Sequence, residues 1–191
     1  MTADFSCILL YKIWNLRMKK ILPLALLLTS VTANAESIYL VGGLGLASYD
    51  ITQDDANTLN ATIDTGAVMI KGAIGSEINE NFSIEAGYTY LGILDVVGIN
   101  YSGDISTGGL EASLIVNKNL ANGASIYGRV GAYAWETEFE FTGTGRSASS
   151  SANGSDITYG IGFDKNSWRL EYQRYNLGDM GVDTLQLSYK F

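Results

Sequence analysis

The nine residues Asp183 to Phe191 (DTLQLSYKF) alternate without a break, with Leu185, Leu187, Tyr189 and Phe191 on one side and Gln186, Ser188 and Lys190 on the other. Successive side chains of a strand point to opposite faces, so this segment is a ribbon with one apolar and one polar face. A ribbon of this kind, ending on an aromatic ring, suits a sheet closed on itself. What the fold has to settle is which face turns outward.

Residues 18–35 (MKKILPLALLLTSVTANA) put Lys19 and Lys20 before an apolar run from Ile21 to Leu28, followed by small residues ending Ala33, Asn34, Ala35. This is the layout of a secretory signal with an A-x-A cleavage site, and its apolar run is shorter than the ~20 residues a membrane-spanning helix needs. The mature chain is expected to start at Glu36. Residues 1–17 precede an ordinary signal-peptide methionine, Met18, and read as a wrongly chosen upstream start. Without residues 1–35, eight basic and nineteen acidic residues remain. A field of that sign repels nucleic acid. Cys7 also lies upstream, so no disulfide is expected, although an exported protein meets conditions that permit one.

Pro23 is the single proline, so nothing after the leader interrupts ladder pairing. The chain divides into eight segments of period two, at 37–49, 67–78, 82–92, 108–117, 124–136, 156–164, 167–175 and 183–191. Tight connections at 79–81, 117–123 and 165–166 alternate with long ones at 50–66, 93–107 and 137–155, and 176–182 is intermediate. This spacing predicts an all-β protein, an eight-stranded antiparallel up-and-down transmembrane β-barrel with one short-turn rim and one long-loop rim. Residues 143–155 (GTGRSASSSANGS) read as a mobile loop. The stretch 50–66, with Asp50, Asp54, Asp55 and Asp64, reads as a solvated loop, because the spacing fits no calcium loop.

Parity assigns the faces. Ile38, Leu40, Leu44 and Leu46 oppose Tyr39, Val41, Gly43 and Gly45; Phe82, Ile84, Tyr88 and Tyr90 oppose Glu85, Gly87 and Thr89; Trp168, Leu170 and Tyr172 oppose Arg169, Glu171 and Gln173. The polar face is rich in small residues, as a crowded eight-stranded interior requires. Aromatics gather toward both rims of the apolar face, with Phe82, Phe163, Trp168 and Phe191 at the short turns and Tyr88, Tyr90, Trp135, Tyr172 and Tyr175 toward the loops. Both features turn the apolar face to lipid. An open edge in hydrocarbon would leave unpaired N–H and C=O groups at several kcal/mol each, so the first strand must pair with the last.

The stretches GSEINENFSIEAGYTYLG (Gly75–Gly92), IYGRVGAYAW (Ile126–Trp135), RLEYQ (Arg169–Gln173) and the YKF ending resemble the transmembrane domain of OmpA-type outer-membrane proteins. The resemblance implies that Leu187, Tyr189 and Phe191 belong to a signal read by the outer-membrane assembly machinery. It also places the family's luminal glutamate and arginine on Glu85 and Arg169, and its fifth-strand arginine on Arg129. In the family such residues form an ion-pair network that plugs or gates a narrow channel. This chain departs from the pattern at Ser113, where the family has a lysine, and near Gly162, where Asp164 is the nearest acid. Lys71 on the neighbouring strand is the substitute partner for Glu85. The family's periplasmic peptidoglycan-binding domain is not expected here.

By parity alone, Lys71, Glu77, Glu85, Glu111, Arg129, Arg169, Glu171 and Lys190 project inward. The candidate luminal network is Glu85, Arg169, Arg129, Lys71, Glu111 and Glu171. A barrel enzyme would need a general base, and the chain has no histidine and no serine in a nucleophile motif. No catalysis, metal or cofactor is expected. The expected role is a monomeric barrel of the cell outer membrane, contributing to membrane integrity, with or without a narrow ion-conducting pore. Its partners would be outer-membrane lipid and lipopolysaccharide, and nucleic acid is excluded. The alternative is a surface adhesin or ligand-recognition barrel, its long loops meeting a host or cell-surface ligand through Tyr101, Phe139 and Phe141.

Overall fold

A computed structural model describes residues 37–51, 61–143 and 145–191. The expected leader and upstream extension lie outside the described residues. The strands are β1 (Ser37–Tyr49), β2 (Ala61–Ile63), β3 (Gly66–Asn79), β4 (Phe82–Gly98), β5 (Tyr101–Asn119), β6 (Ala124–Gly143), β7 (Arg146–Lys165), β8 (Trp168–Leu177) and β9 (Met180–Lys190). All pairings are antiparallel, and β1 with β3 to β9 forms a closed ring of eight. The ring is sealed by β1 against β9, from Val41↔Lys190 to Tyr49↔Val182. Phe191 extends the seam by donating its N–H to the Leu40 carbonyl at 2.8 Å.

The alternation places apolar side chains outside. Leu44 and Leu46 are 62% and 65% exposed, and Leu40, Ile70, Tyr88, Val130, Ile161, Leu170, Leu185 and Leu187 form a continuous exposed belt with them. Exposed apolar surface of this extent marks a membrane-facing wall. The tight turns at one end use residues that tolerate positive φ, namely Asn122, Gly123 and Asn166.

A bulge in β4 changes the parity. Tyr90 pairs Gly108 while Gly92 pairs Thr107, so Leu91 is an extra residue. Gly92 has φ +94°, and a Cβ there would lie 2.6 Å from the Val68 carbonyl oxygen. Beyond it the faces exchange: Leu94 and Val96 are 1% exposed, whereas Ile93 and Val97 are 53% and 58% exposed.

The structure corrects the expected long loops. Within 93–107 and 137–155, the described residues continue β4 to Gly98, β5 from Tyr101, β6 to Gly143 and β7 from Arg146, past the rest of the barrel. β6 and β7 have 20 residues each, whereas β8 has 10. At ~3.3 Å per residue the difference is a sheet standing well clear of the ring. Of residues 143–155, expected as a mobile loop, Arg146 to Ser155 supply one strand of that sheet, paired from Gly143↔Arg146 downward. Ser, Ala and Gly have low strand preference in isolation, and a neighbouring ladder overrides it. The stretch 50–66 contains β2, which pairs outside β4; Asp54 and Asp55 lie outside the described residues.

Two girdle assignments are also corrected. Trp135 shares parity with Arg129 and turns inward, its Nε1–H donating to Asp156 Oδ2 at 2.7 Å. Tyr175 shares parity with Arg169 and is fully buried in the lumen. Aromatics near a rim resemble a girdle whichever way they point, and only counting from a charged neighbour separates the two.

Candidate functional site

The lumen has two layers. The layer nearer the short turns is charged. Six inward positions on five strands bring Lys71 (β3), Glu85 (β4), Glu111 (β5), Arg129 (β6), Arg169 and Glu171 (β8) together, all buried. Arg129 is the hub: it pairs with Glu85 through Nη2, with Glu111 through Nη1 at 2.9 Å, and approaches Glu171 through Nε at 3.0 Å. Arg169 pairs with Glu85 and forms a two-pronged bridge to Asp164, at 2.9 and 3.1 Å. Lys71 lies 3.0 Å from Glu111 and 3.6 Å from Glu171. Its ion pairs are therefore with Glu111 and Glu171 and not, as expected from its place on the neighbouring strand, with Glu85; Arg129 takes that place.

Neutral groups complete the network. Tyr39 donates to Glu85 at 2.9 Å, Ser113 and Gln173 donate to Glu111 at 2.6 and 2.9 Å, and Tyr127 and Gln186 donate to Glu171. The Arg169 guanidinium lies 4.8 Å from the centre of the Tyr127 ring. Buried charges at this density are tolerable only when each is paired and hydrogen-bonded. Glu77 and Lys190 also face inward, but they form a separate pair at the short-turn rim, 2.6 Å apart and about a third exposed.

Glycine makes room for the tyrosines. Tyr39 pairs Gly75 and Tyr127 pairs Gly162 across adjacent strands, and a Cβ at either glycine would lie 2.2 Å from the ring. These rings were missed as site residues, although an inward tyrosine directly opposite a glycine is a signal that a strand register would supply.

The layer toward the protruding sheet is apolar. Met69, Leu91, Leu94, Tyr133, Tyr175, Leu177 and Val182 form a buried cluster with Ala47 and Tyr49. Tyr133 and Tyr175 meet edge to face at 4.8 Å. The Tyr175 hydroxyl donates to Glu111 at 3.0 Å and joins the two layers. Water would have to displace both a neutralised charge network and a packed apolar cluster to pass.

The terminal strand carries Leu187, Tyr189 and Phe191 on the outer face. Tyr189 stacks edge-on against Trp168 at 5.1 Å and against Phe191 at 4.8 Å.

A closed antiparallel ring, apolar outside and charged within, defines an integral outer-membrane barrel. The outer membrane protein beta-barrel domain family matches residues 21–191, and the chain belongs to that family. The protein is therefore a Gram-negative outer-membrane barrel of OmpA type. Among solved structures it is similar to Ail, the attachment invasion locus protein of Yersinia pestis, with 20% identity, a TM-score of 0.53, and coverage of 83% of this chain and 99% of that one. Ail in complex with the heparin analogue sucrose octasulfate matches at 16% identity and a TM-score of 0.50, covering 81% and 99% of the two chains. Neisserial surface protein A matches at 11% identity and a TM-score of 0.50, covering 82% and 97%. At these identities the likeness is one of fold. No curated protein matches the chain.

Proposed function

We propose that this protein is a closed, non-catalytic barrel that stiffens the outer membrane and conducts no ions at rest. The observation that carries this reading is the pair of stacked luminal layers, the ion-pair network hubbed on Arg129 and the apolar cluster around Tyr133 and Tyr175. A pore with one gate opens when that gate moves, whereas here a second, chemically different layer stays shut. The test is single-channel recording of the purified barrel in planar bilayers. The expected trace has no defined steps, and steps that scale with salt concentration would support the narrow-pore reading instead. The partners on this proposal are lipid and lipopolysaccharide around the apolar belt, and the assembly machinery at Leu187, Tyr189 and Phe191.

A second role, recognition at the cell surface, is favoured by one observation: β4 to β7 rise beyond the ring as an ordered sheet. Strands fixed to a rigid barrel present a surface at low ordering cost. Ail has been crystallised with the heparin analogue sucrose octasulfate; here the outer face of the sheet carries Asp95, Asp104, Glu136, Glu138 and Glu140 and suits a basic ligand. Replacing 93–106 and 138–154 by tight turns should abolish adhesion of barrel-expressing cells to the surfaces they colonise. Full retention would remove this role.

A further inference from the structure

The protruding sheet has two edges, and among the described residues only one is covered. β2 caps β4 through Ala61↔Gly98 to Ile63↔Val96. At the other edge β7 meets β8 only from Thr158↔Tyr175 downward. Residues 146–155 therefore have β6 on one side and, among the described residues, no main-chain partner on the other.

The direction of the open groups follows from one bond. The Ile157 carbonyl accepts from Asn176 Nδ2 at 2.7 Å, so it points toward β8. In an antiparallel strand the N–H and C=O of one residue point the same way, and the direction alternates along the chain. Ser147, Ser149, Ser151, Asn153 and Ser155 accordingly turn both groups to the open side. Natural proteins blunt such edges with lysine, proline or a bulge. Between 146 and 155 there is no lysine or proline, and the ladder to β6 is unbroken.

The flanking side chains set the chemistry of what fits. On the outer face Glu136, Glu138 and Glu140 stand directly opposite Asn153, Ser151 and Ser149, and all six are exposed. The short side chains of β7 leave the carboxylates within reach of a long side chain on one strand further out, about 10 Å away at two strand spacings. On the inner face half-buried Phe139 and Phe141 stand opposite Ser150 and Ala148.

We infer that the open edge of β7 takes up an extended polypeptide segment of alternating basic and apolar residues as an additional strand. Its basic side chains cross β7 to Glu136, Glu138 and Glu140, and its apolar side chains cover Phe139 and Phe141. A second copy of this chain fits poorly, because it would bring one glutamate row toward another. The inference rests on the surface-recognition reading and is tested apart from it.

The probe is a ten-residue peptide alternating Lys and Val, with a Glu and Val peptide as control, added to the full barrel in phosphatidylcholine nanodiscs. The lysine peptide is expected to bind at least tenfold more tightly than the control and to slow amide exchange at Ser147, Ser149, Ser151 and Asn153. Ser149→Pro with Ser151→Pro removes two open-side donors without touching the β6 ladder and should abolish binding. Glu136→Gln, Glu138→Gln and Glu140→Gln together should weaken it about tenfold. Equal binding of the two peptides, protection elsewhere, or an unaffected proline variant overturns the inference. So does protection without peptide that rises with protein concentration, which would assign the edge to a second copy. Adhesion lost with the hairpins removed but kept in the proline variant leaves surface recognition standing and sinks the edge; adhesion indifferent to the hairpins sinks the recognition reading itself.

Discussion

The two halves of the lumen are filled by opposite means. The lower half uses six buried charges that satisfy one another through fixed geometry, with Arg129 reaching three carboxylates at once. The upper half uses shape, packing Met69, Leu91, Leu94, Tyr133 and Tyr175 without a charge. A charged layer is unforgiving, since the loss of one partner strands the others. An apolar layer loses only what is removed and the cavity left behind. On the closed-barrel proposal, these are a specific seal and a tolerant one in series.

The largest break in this comparison is Arg129→Met, which leaves Glu85, Glu111 and Glu171 short of their shared cation. The expected loss is about 3–5 kcal/mol, read as a lower midpoint for the heat-dependent gel shift, while conductance stays closed because the upper layer remains. Leu91→Ala is next, at about 2–4 kcal/mol from transfer and cavity terms, again with no conductance because the charges remain. Only the combined variant is expected to show channel steps. Steps in either single variant would reduce the two seals to one. Tyr39→Phe sharpens the comparison within the lower layer. It deletes one hydrogen bond to the Glu85 carboxylate and should cost about 1.5 kcal/mol in urea unfolding from lipid vesicles. The smallest effect is Lys190→Gln at the rim, where solvent screens the pair with Glu77; less than about 1 kcal/mol is expected, shrinking further in high salt.

Much of the lower barrel was legible because its segments alternate cleanly and its inward charges are few. Once Glu85 and Arg169 were placed on the inner face, parity alone set Lys71, Glu111, Arg129 and Glu171 beside them. Legibility ended where parity or composition ceased to report structure. The extra residue at Leu91 exchanged the faces of β4, so the apolar cap at Leu94 and Val96 was out of reach. The serine-rich run from Arg146 to Ser155 carries no periodic signal, because both its faces are exposed and its strand form depends on β6. Trp135 and Tyr175 were placed by proximity to a rim when counting from Arg129 and Arg169 would have turned them inward. Which cation faces which carboxylate depended on register, and no one-dimensional pattern contains it.

The seam between β1 and β9 joins Val41 to Lys190, and so spans nearly all of the described residues. Every other neighbouring pair in the ring is joined by a far shorter stretch of chain and can form early. Closing a loop of this length costs on the order of 4–5 kcal/mol in chain entropy before any seam bond repays it. Until then the growing sheet has two raw edges, and hydrocarbon offers their N–H and C=O groups nothing. The barrel is therefore a lock whose final turn is its costliest, and something other than lipid has to hold both edges until it is made.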